Sequence, residues 1–203
     1  MVFVFDLGNV MVYFQPERYL NDLGYQGERR EALRRAIFAS RAWLDCDAGT
    51  RTRAQATEAM CAAAPDLEED IRRIMARCDE MLAPIAGSVR TLKRLTMEGQ
   101  DCYFLSNTNA PALEFMRGYD YFRMFKGGVA SYEERIAKPD PAIFRLFCAR
   151  YGLAPEECVF VDDNPANVRA ARECGMDARL LEDAEGLWEL VEGVVGKNEQ
   201  HKK

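Results

Sequence analysis

Histidine is nearly absent from this chain of 203 residues, which contains only His201, in a polar stretch near its C-terminus. This scarcity excludes Ser-His-Asp triads, Cys-His pairs and histidine-ligated zinc sites. Any chemistry must therefore use carboxylates, lysine or hydroxyl groups, with or without a bound ion. Residues 198–203 are polar and terminal, so we expect them to form a disordered tail.

Paired cysteines, basic clusters and long apolar runs are also missing. The seven cysteines are scattered and never spaced as Cys-x-x-Cys, which predicts reduced thiols rather than disulfides or a metal cluster. The formal net charge is −6 and basic residues form only short pairs, so nucleic acid is not an expected partner. The N-terminal apolar run is cut by Asp6 and is too short to cross a bilayer. We therefore expect a cytoplasmic protein without membrane contact, whose oligomeric state is left open.

Three apolar runs have the character of buried strands, and each stops at polar residues. Residues 1–5 stop at Asp6, residues 102–105 at Ser106 and Asn107, and residues 158–161 at Asp162 and Asp163. Weaker strands are predicted at residues 127–131 and 178–181. Helical patterns separate the strands, which indicates an α/β fold with a parallel sheet. Because the carboxyl ends of parallel strands share one edge, we expect these polar groups to converge there.

Residues 15–83 contain no strand-like run. Apolar residues recur there at intervals of three and four, which predicts about four helices. The breaks between them fall at residues 24–27, 45–52 and 65–66. Proline and glycine at residues 84–87 mark the return to the sheet pattern. We therefore predict a core formed by residues 1–14 and 84–197, with an inserted helical module at residues 15–83.

The groups at the strand ends indicate phosphate and metal chemistry. Asp6, Asp162 and Asp163 are carboxylates without nearby histidine, a donor set that suits Mg²⁺. Ser106 can donate its hydroxyl to a phosphate oxygen, and Lys138 can neutralise another. A carboxylate nucleophile surrounded by such charges is the outline of an aspartyl-phosphate site.

The chain resembles the haloacid dehalogenase-like (HAD) hydrolase superfamily through four segments in the family's order. These are Phe5-Asp-Leu-Gly-Asn-Val10, Leu105-Ser-Asn107, Lys138-Pro139 and Val161-Asp-Asp-Asn164. The resemblance implies a Rossmann-like parallel sheet core and an inserted α-helical cap at residues 15–83. The first segment is similar to that of helical-cap sugar-phosphate phosphatases.

The resemblance also implies a role for each motif residue. Asp6 would be the nucleophile and would act with Lys138, which balances charge around it. Ser106, the Asn107 backbone and Lys138 would hold the substrate phosphate. The implied metal is Mg²⁺, and its ligands would be Asp6, the Gly8 carbonyl, Asp163, and Asp162 either directly or through water.

Gly8 departs from the family's phosphatases, which have an aspartate there that protonates the leaving group and activates water. Three interpretations follow. The acid could come from elsewhere, and the cap offers Asp45 and Asp47, although we expect both to lie in a solvated loop. The chain could be a metal-independent 2-haloacid dehalogenase, or an inactive phosphate-binding or protein-binding module. We favour a Mg²⁺-dependent phosphatase of a small phosphorylated metabolite, with a sugar 1-phosphate as one candidate.

Other polar and aromatic residues have simpler expected roles. Asn164 and Asn167 are expected to cap and support a helix. The candidate substrate contacts are Tyr13, Trp43 and Asn109. The arginines that we expect to be solvated are Arg41, Arg51 and Arg53.

Overall fold

A five-stranded parallel sheet forms the centre of the protein in the computed structural model, which describes residues 1–198. The strands are β1 (Val2–Phe5), β2 (Asp101–Ser106), β3 (Gly127–Ala130), β4 (Cys158–Asp162) and β5 (Asp177–Leu180). Their order across the sheet is β3-β2-β1-β4-β5. The three strongest sequence runs are therefore the three central strands, and the two weaker ones are the edges. The predicted α/β, Rossmann-like fold class is confirmed.

Eleven α-helices accompany the sheet within the described part of the chain. They are α1 (Pro16–Asp22), α2 (Gly27–Ala36), α3 (Arg41–Asp47), α4 (Arg53–Ala63), α5 (Glu68–Met75), α6 (Ala86–Met97), α7 (Ala110–Arg117), α8 (Ser131–Glu134), α9 (Pro141–Tyr151), α10 (Pro165–Glu173) and α11 (Leu187–Asn198). No helix in residues 1–198 is both long enough and apolar enough to cross a membrane. The predicted disordered tail falls mostly on residues 199–203, outside the described residues.

Both faces of the sheet are covered, as uninterrupted apolar strands require. Alternate side chains of β1 separate the two layers: Phe3 and Phe5 pack with residues of α6 and α11, whereas Val2 and Val4 pack with residues of α9 and α10. The polar strand ends are therefore held at one edge of a sheet whose strands β1 and β4 are buried along their whole length.

Helices α1 to α5 build a separate apolar cluster beside the sheet edge, centred on Leu20, Leu33, Ile37, Ile71 and Ile74. The cluster agrees with the predicted helical module, but there are five helices rather than about four. Helix α3 lies partly inside the predicted break at residues 45–52. The helix begins at Arg41 because the Ser40 hydroxyl caps it, accepting a hydrogen bond of 3.1 Å from the Trp43 N–H.

The two connections to this helical segment run side by side. Val12 and Pro84 form an antiparallel bridge, the Tyr13 N–H donates to the Ala83 carbonyl (2.9 Å), and the Ile85 N–H donates to the Met11 carbonyl (2.9 Å). The chain thus leaves the sheet layer and returns to it at one place. This arrangement is what an insertion at residues 15–83 requires, and the division into two domains stays a prediction.

Candidate active site

The strand-end groups meet at a cavity of about 260 Å³ between the sheet edge and two parts of the helical segment, helix α3 and residues 78–82. Strand β1 lies between β2 and β4, so Asp6 stands between the ends of its two neighbours. Six of the seven predicted site residues line the cavity, and Asp162 lies behind it. The six are Asp6, Gly8, Ser106, Asn107, Lys138 and Asp163.

Lys138 is buried among acceptors, with 1% of its side chain exposed. Its Nζ lies 2.9 Å from Asp6 Oδ1, 2.6 Å from Asp162 Oδ2 and 2.8 Å from the Leu105 carbonyl. Burial lowers the pKa of Lys138, but the charges of Asp6 and Asp162 outweigh burial and leave it raised. The ammonium group is therefore charged and held between two carboxylates.

Asn107 holds the Lys138 backbone by a reciprocal pair of hydrogen bonds. The Asn107 Nδ2 donates to the Lys138 carbonyl and the Lys138 N–H donates to Asn107 Oδ1, both at 2.8 Å. The Asn107 side chain is thus occupied by the Lys138 backbone, and the contact of the Asn107 backbone with phosphate stays a prediction.

Asp6 combines burial with access to the cavity. Burial raises its pKa to about 6; Lys138 lowers it, Asp162 raises it and the Ser106 hydroxyl lowers it. Asp6 Oδ1 is near the Lys138 ammonium but receives no well-directed hydrogen bond. A buried carboxyl group with a raised pKa that lines a cavity beside a cation has the properties of a nucleophile or a metal ligand.

Asp162 and Asp163 differ although they are adjacent. Asp162 is fully buried, and its two oxygens accept from Lys138 Nζ, the Asn164 N–H (2.8 Å) and Asn167 Nδ2 (3.0 and 3.1 Å). Asp163 is only partly buried and lines the cavity. Burial raises the pKa of Asp163. A hydrogen bond from Asn9 opposes this effect only in part, so the pKa stays above its ordinary value. Asp162 is therefore suited to fixing Lys138 and the start of α10, and Asp163 to contacting a ligand.

Asn9 is a site residue that the sequence reasoning missed. Its φ is +53°, a left-handed conformation that asparagine tolerates better than most residues. Its Nδ2 donates to Asp163 Oδ2 (3.0 Å), and its Oδ1 accepts from the Phe14 N–H (3.0 Å). The turn after Asp6 therefore fixes Asp163 as well as the nucleophile loop. An asparagine immediately after glycine in a predicted turn was the available signal.

The acidic groups fit a hard divalent cation. Asp6, Asp162 and Asp163 each offer an oxygen, and these oxygens lie within 4.8 Å of one another. Oxygen donors at this spacing match the preference of Mg²⁺. The hydrogen bonds of Asp162 favour the predicted contact through water over direct coordination.

The opposite wall of the cavity comes from the helical segment. Trp43 packs 5.0 Å from Phe38 and 5.9 Å from Phe14, measured between ring centroids, and both Trp43 and Asn109 line the cavity. Tyr13 does not line it; its hydroxyl donates to Glu185 Oε1 (3.2 Å) on the protein surface. Two of the three candidate substrate contacts are therefore at the site and one is not.

Arg53 is not a solvated charge, which corrects the expectation from sequence. Its side chain is 15% exposed and binds both oxygens of Asp79, one of them at 2.6 Å, as well as Asn109 Oδ1 at 2.8 Å. Asp79 lies 26 residues away in sequence, so local pattern could not reveal the pair. Arg41 and Arg51 contact Asp45 and are exposed, as expected.

Asp45 and Asp47 lie in helix α3, not in a solvated loop. Asp45 is ion-paired with Arg41 at 2.7 Å and with Arg51 at 3.1 Å, and it does not line the cavity. Asp47 does line the cavity and accepts a hydrogen bond of 2.8 Å from Asn109 Nδ2. The expectation of a solvated loop was therefore wrong for both residues.

Comparison with known proteins supports the same fold. Over 99 residues the chain is 34% identical to phosphoglycolate phosphatase 1 of Pseudomonas aeruginosa, a match that covers 47% of this chain and 35% of that protein. A HAD family enzyme of Bacteroides thetaiotaomicron, solved with magnesium and inorganic phosphate, superposes with a TM-score of 0.69. It is 21% identical, with 88% of this chain and 92% of that chain covered.

A dehalogenase has a similar fold too. The L-2-haloacid dehalogenase of Xanthobacter autotrophicus gives a TM-score of 0.68 at 21% identity, covering 96% of this chain and 84% of that chain. The matches with the first curated relatives span about half of their length or less. Residues 1–175 match the family described as haloacid dehalogenase-like hydrolase. Since that match covers most of the chain and includes all four motif segments, the protein belongs to the haloacid dehalogenase-like hydrolases.

Proposed function

We propose that this hydrolase is a Mg²⁺-dependent phosphatase that cleaves the monoester of a small phosphorylated metabolite through an aspartyl phosphate on Asp6. The single observation that carries the proposal is the Asp6–Lys138–Asp162 cluster, with Asp163 beside it, at the cavity. Phosphatases among the curated relatives support the same reaction class.

The side chains of the cluster would divide the work between attack and charge stabilisation. Asp6 is placed to attack phosphorus, because it lines the cavity at the end of the central strand β1, with Lys138 beside it. Lys138 would keep Asp6 ionised near neutral pH and would face the charge of the transferring phosphoryl group. Ser106, which is 2% exposed at the end of β2, would donate its hydroxyl to a phosphoryl oxygen. The Asn107 backbone would provide a second donor.

Asp6, Asp163 and the Gly8 carbonyl would hold Mg²⁺, with Asp162 contributing through water. The ion would supply positive charge for the phosphoryl oxygens and bring the phosphate next to Asp6. Asn9 would keep Asp163 turned toward that position through its 3.0 Å hydrogen bond. These roles follow the family resemblance, and the carboxylate spacing supports them.

The charges around the cavity favour a substrate whose alcohol portion is neutral. Within the described residues, Lys138 is the only cationic side chain that lines the cavity, and the phosphate would use it. The rest of the wall carries the apolar groups of Phe14, Trp43 and Met81 and the acidic groups of Asp47 and Asp79. A second anionic group on the substrate would find no cationic side chain on this wall, and Arg53 behind it is already bound to both oxygens of Asp79. A sugar phosphate fits this wall better than a phosphorylated carboxylic acid.

A panel of phosphorylated metabolites tests the proposal. Wild-type protein with Mg²⁺ should release phosphate from neutral sugar phosphates faster than from phosphoglycolate. The Asp6→Asn variant and the wild type in EDTA should release none. Phosphate release that persists in both controls would rule out the mechanism. Halide release from 2-haloacids without metal would instead support the dehalogenase, and binding of phosphate without any turnover would support an inactive module.

A further inference from the structure

One carboxyl group at the cavity has no role in the reaction as proposed above. Within residues 1–198, four aspartates line the cavity: Asp6, Asp47, Asp79 and Asp163. Asp6 and Asp163 are assigned to the nucleophile and the metal. Both oxygens of Asp79 are bound by Arg53, so that carboxyl group already has a cationic partner. Asp47 has no ion pair among the described residues, so it is the member of the set that can carry a proton.

The hydrogen bonds around Asp47 define the role of one of its oxygens. Asn109 Oδ1 accepts from the Ala112 N–H (3.3 Å) and from Arg53 Nη2 (2.8 Å). The other end of the amide must therefore be the Nδ2 donor, and it donates to Asp47 Oδ1 at 2.8 Å. Oδ1 of Asp47 is therefore an acceptor for Asn109, and the Trp43 side chain also hydrogen-bonds the carboxyl group.

The backbone around Asp47 is fixed to the sheet layer. The Asp47 carbonyl accepts from the Ser131 hydroxyl, which follows β3 and also accepts from the Thr108 N–H at 3.0 Å. Gly49 has a φ of +69°, and a Cβ there would lie 2.2 Å from the Tyr132 carbonyl oxygen. Helix α3 therefore ends in a turn that only glycine can make against this surface. Asp47 is thus held at a set position relative to the strand ends.

The electrostatic surroundings favour the neutral acid near pH 7. Burial raises the pKa of Asp47 to about 7, although hydrogen bonds from Asn109 and Trp43 lower it. The charged groups that face it are Arg53, which lowers the pKa, and Asp6, which raises it. A carboxylic acid in this range can both give and take a proton at physiological pH.

We propose that Asp47 is the catalytic acid that protonates the leaving oxygen, in place of the carboxyl group that Gly8 lacks. This inference rests on the proposed phosphatase function. As Asp6 forms its bond to phosphorus, the bond from phosphorus to the ester oxygen breaks on the opposite side, toward the helical segment. The proton of Asp47 moves to that oxygen, and the neutral alcohol leaves. The Asp47 carboxylate then takes a proton from the water that attacks the aspartyl phosphate, which releases inorganic phosphate and restores Asp6 and the Asp47 acid.

The test compares two substrates that differ in their need for a proton. An alkyl phosphate, such as a sugar 6-phosphate, releases a strongly basic oxygen, whereas para-nitrophenyl phosphate releases a stabilised phenolate. Asp47→Asn keeps the size of the side chain and the hydrogen bond from Asn109 but removes the acid. We expect kcat/KM for the alkyl phosphate to fall by about 10²- to 10⁴-fold, and that for para-nitrophenyl phosphate by less than about tenfold.

Asp45→Asn is the matched control, because it makes the same change two residues away in helix α3 and outside the cavity. It should leave both substrates unaffected. As a second measurement, wild-type kcat/KM for the alkyl phosphate should decline as the pH rises through about 7, and Asp47→Asn should lack this decline. Asp47→Glu, which restores an acid, should recover part of the lost activity.

Equal losses on both substrates, or no loss on either, would overturn the role of Asp47. A decline with rising pH that survives in Asp47→Asn would also overturn it. The failure of the proposed function gives a different result: the wild type would then be inactive on both substrates, or Asp6→Asn would remain active. The two proposals can therefore be judged separately.

Discussion

Replacing Lys138 with methionine should destabilise the protein in a way that depends strongly on pH. Lys138 is 1% exposed and is the shared partner of two carboxylates, at 2.9 Å from Asp6 and 2.6 Å from Asp162. Methionine has a similar length but no charge, so it fills the same space and leaves both carboxylates without their cation. Breaking a buried ion pair in this way typically costs about 3–5 kcal/mol.

The repulsion between the Asp6 and Asp162 carboxylates in the variant gives an independent estimate of the loss of stability. Oxygens of Asp6 and Asp162 lie within 4.8 Å of each other. Two unit charges at that distance repel by about 3 kcal/mol with an effective dielectric constant of about 20. The cost should appear at pH 8, where both groups are ionised. At pH 5 it should be much smaller, because the variant raises the pKa of Asp6 further above its ordinary value and the carboxyl group accepts a proton. Stability of the variant is therefore lost as the pH rises.

Chemical denaturation in EDTA at pH 5 and pH 8 measures this difference, since EDTA removes divalent cations that would screen the carboxylates. Lys126→Met is the control: Lys126 also pairs with an aspartate, Asp101, at 2.5 Å, but both side chains are exposed. Such surface pairs contribute at most about 1 kcal/mol. If Lys138→Met costs no more than Lys126→Met at pH 8, or costs the same at both pH values, the proposed electrostatic role of Lys138 is wrong.

Three further changes should have separate effects. Asp47→Asn should gain stability over the wild type between pH 4 and pH 8, because the folded pKa of about 7 lies above the ordinary 3.8 and the wild type loses stability as the pH rises through that interval. A rise of about three in the pKa corresponds to about 4 kcal/mol of unfolding free energy. Solvent access to the cavity should reduce the gain measured in denaturation curves to about 2 kcal/mol. Gly8→Asp should fold normally, since a Cβ there meets only Phe14 Cβ at 3.7 Å. Placed in the Asp47→Asn background, it should restore alkyl phosphate turnover at least about tenfold, and no gain would mean that proton supply is not limiting. Asn107→Ala removes two hydrogen bonds of 2.8 Å from Lys138 and should lower the free energy of unfolding by about 2 kcal/mol while raising KM for the phosphate ester.

The sheet could be predicted from sequence because its central strands are buried on both faces. Residues 2–5 and 158–162 contain no polar side chain before their C-terminal ends, so burial and strand direction are both visible in the local pattern. The parallel arrangement then places Asp6, Ser106 and Asp163 at one edge. Their proximity is a consequence of topology, which the alternation of strands and helices already indicates.

The helical wall of the site could not be predicted in the same way. Helix α3 has only seven residues, too few for a periodic signal, and its start depends on the single cap at Ser40. Whether an aspartate there is solvated or buried is decided by residues distant in sequence. Asp45 meets Arg41 and Arg51, whereas Asp47 meets Asn109, 62 residues away. The sequence therefore shows that residue 47 is an aspartate, but it does not show whether that aspartate is protonated.

The paired connections at Val12 and Pro84 also bear on how such a chain can change over evolution. Because the two segments are already hydrogen-bonded to each other, the ends of the insertion stay together whatever the length of the insertion. The entropy of closing the intervening loop rises only by about 0.6 kcal/mol for each doubling of its length. Helices could thus be lengthened, exchanged or removed between these segments with little cost to the sheet. New substrate-contacting walls could be acquired while the phosphate-handling edge stays the same.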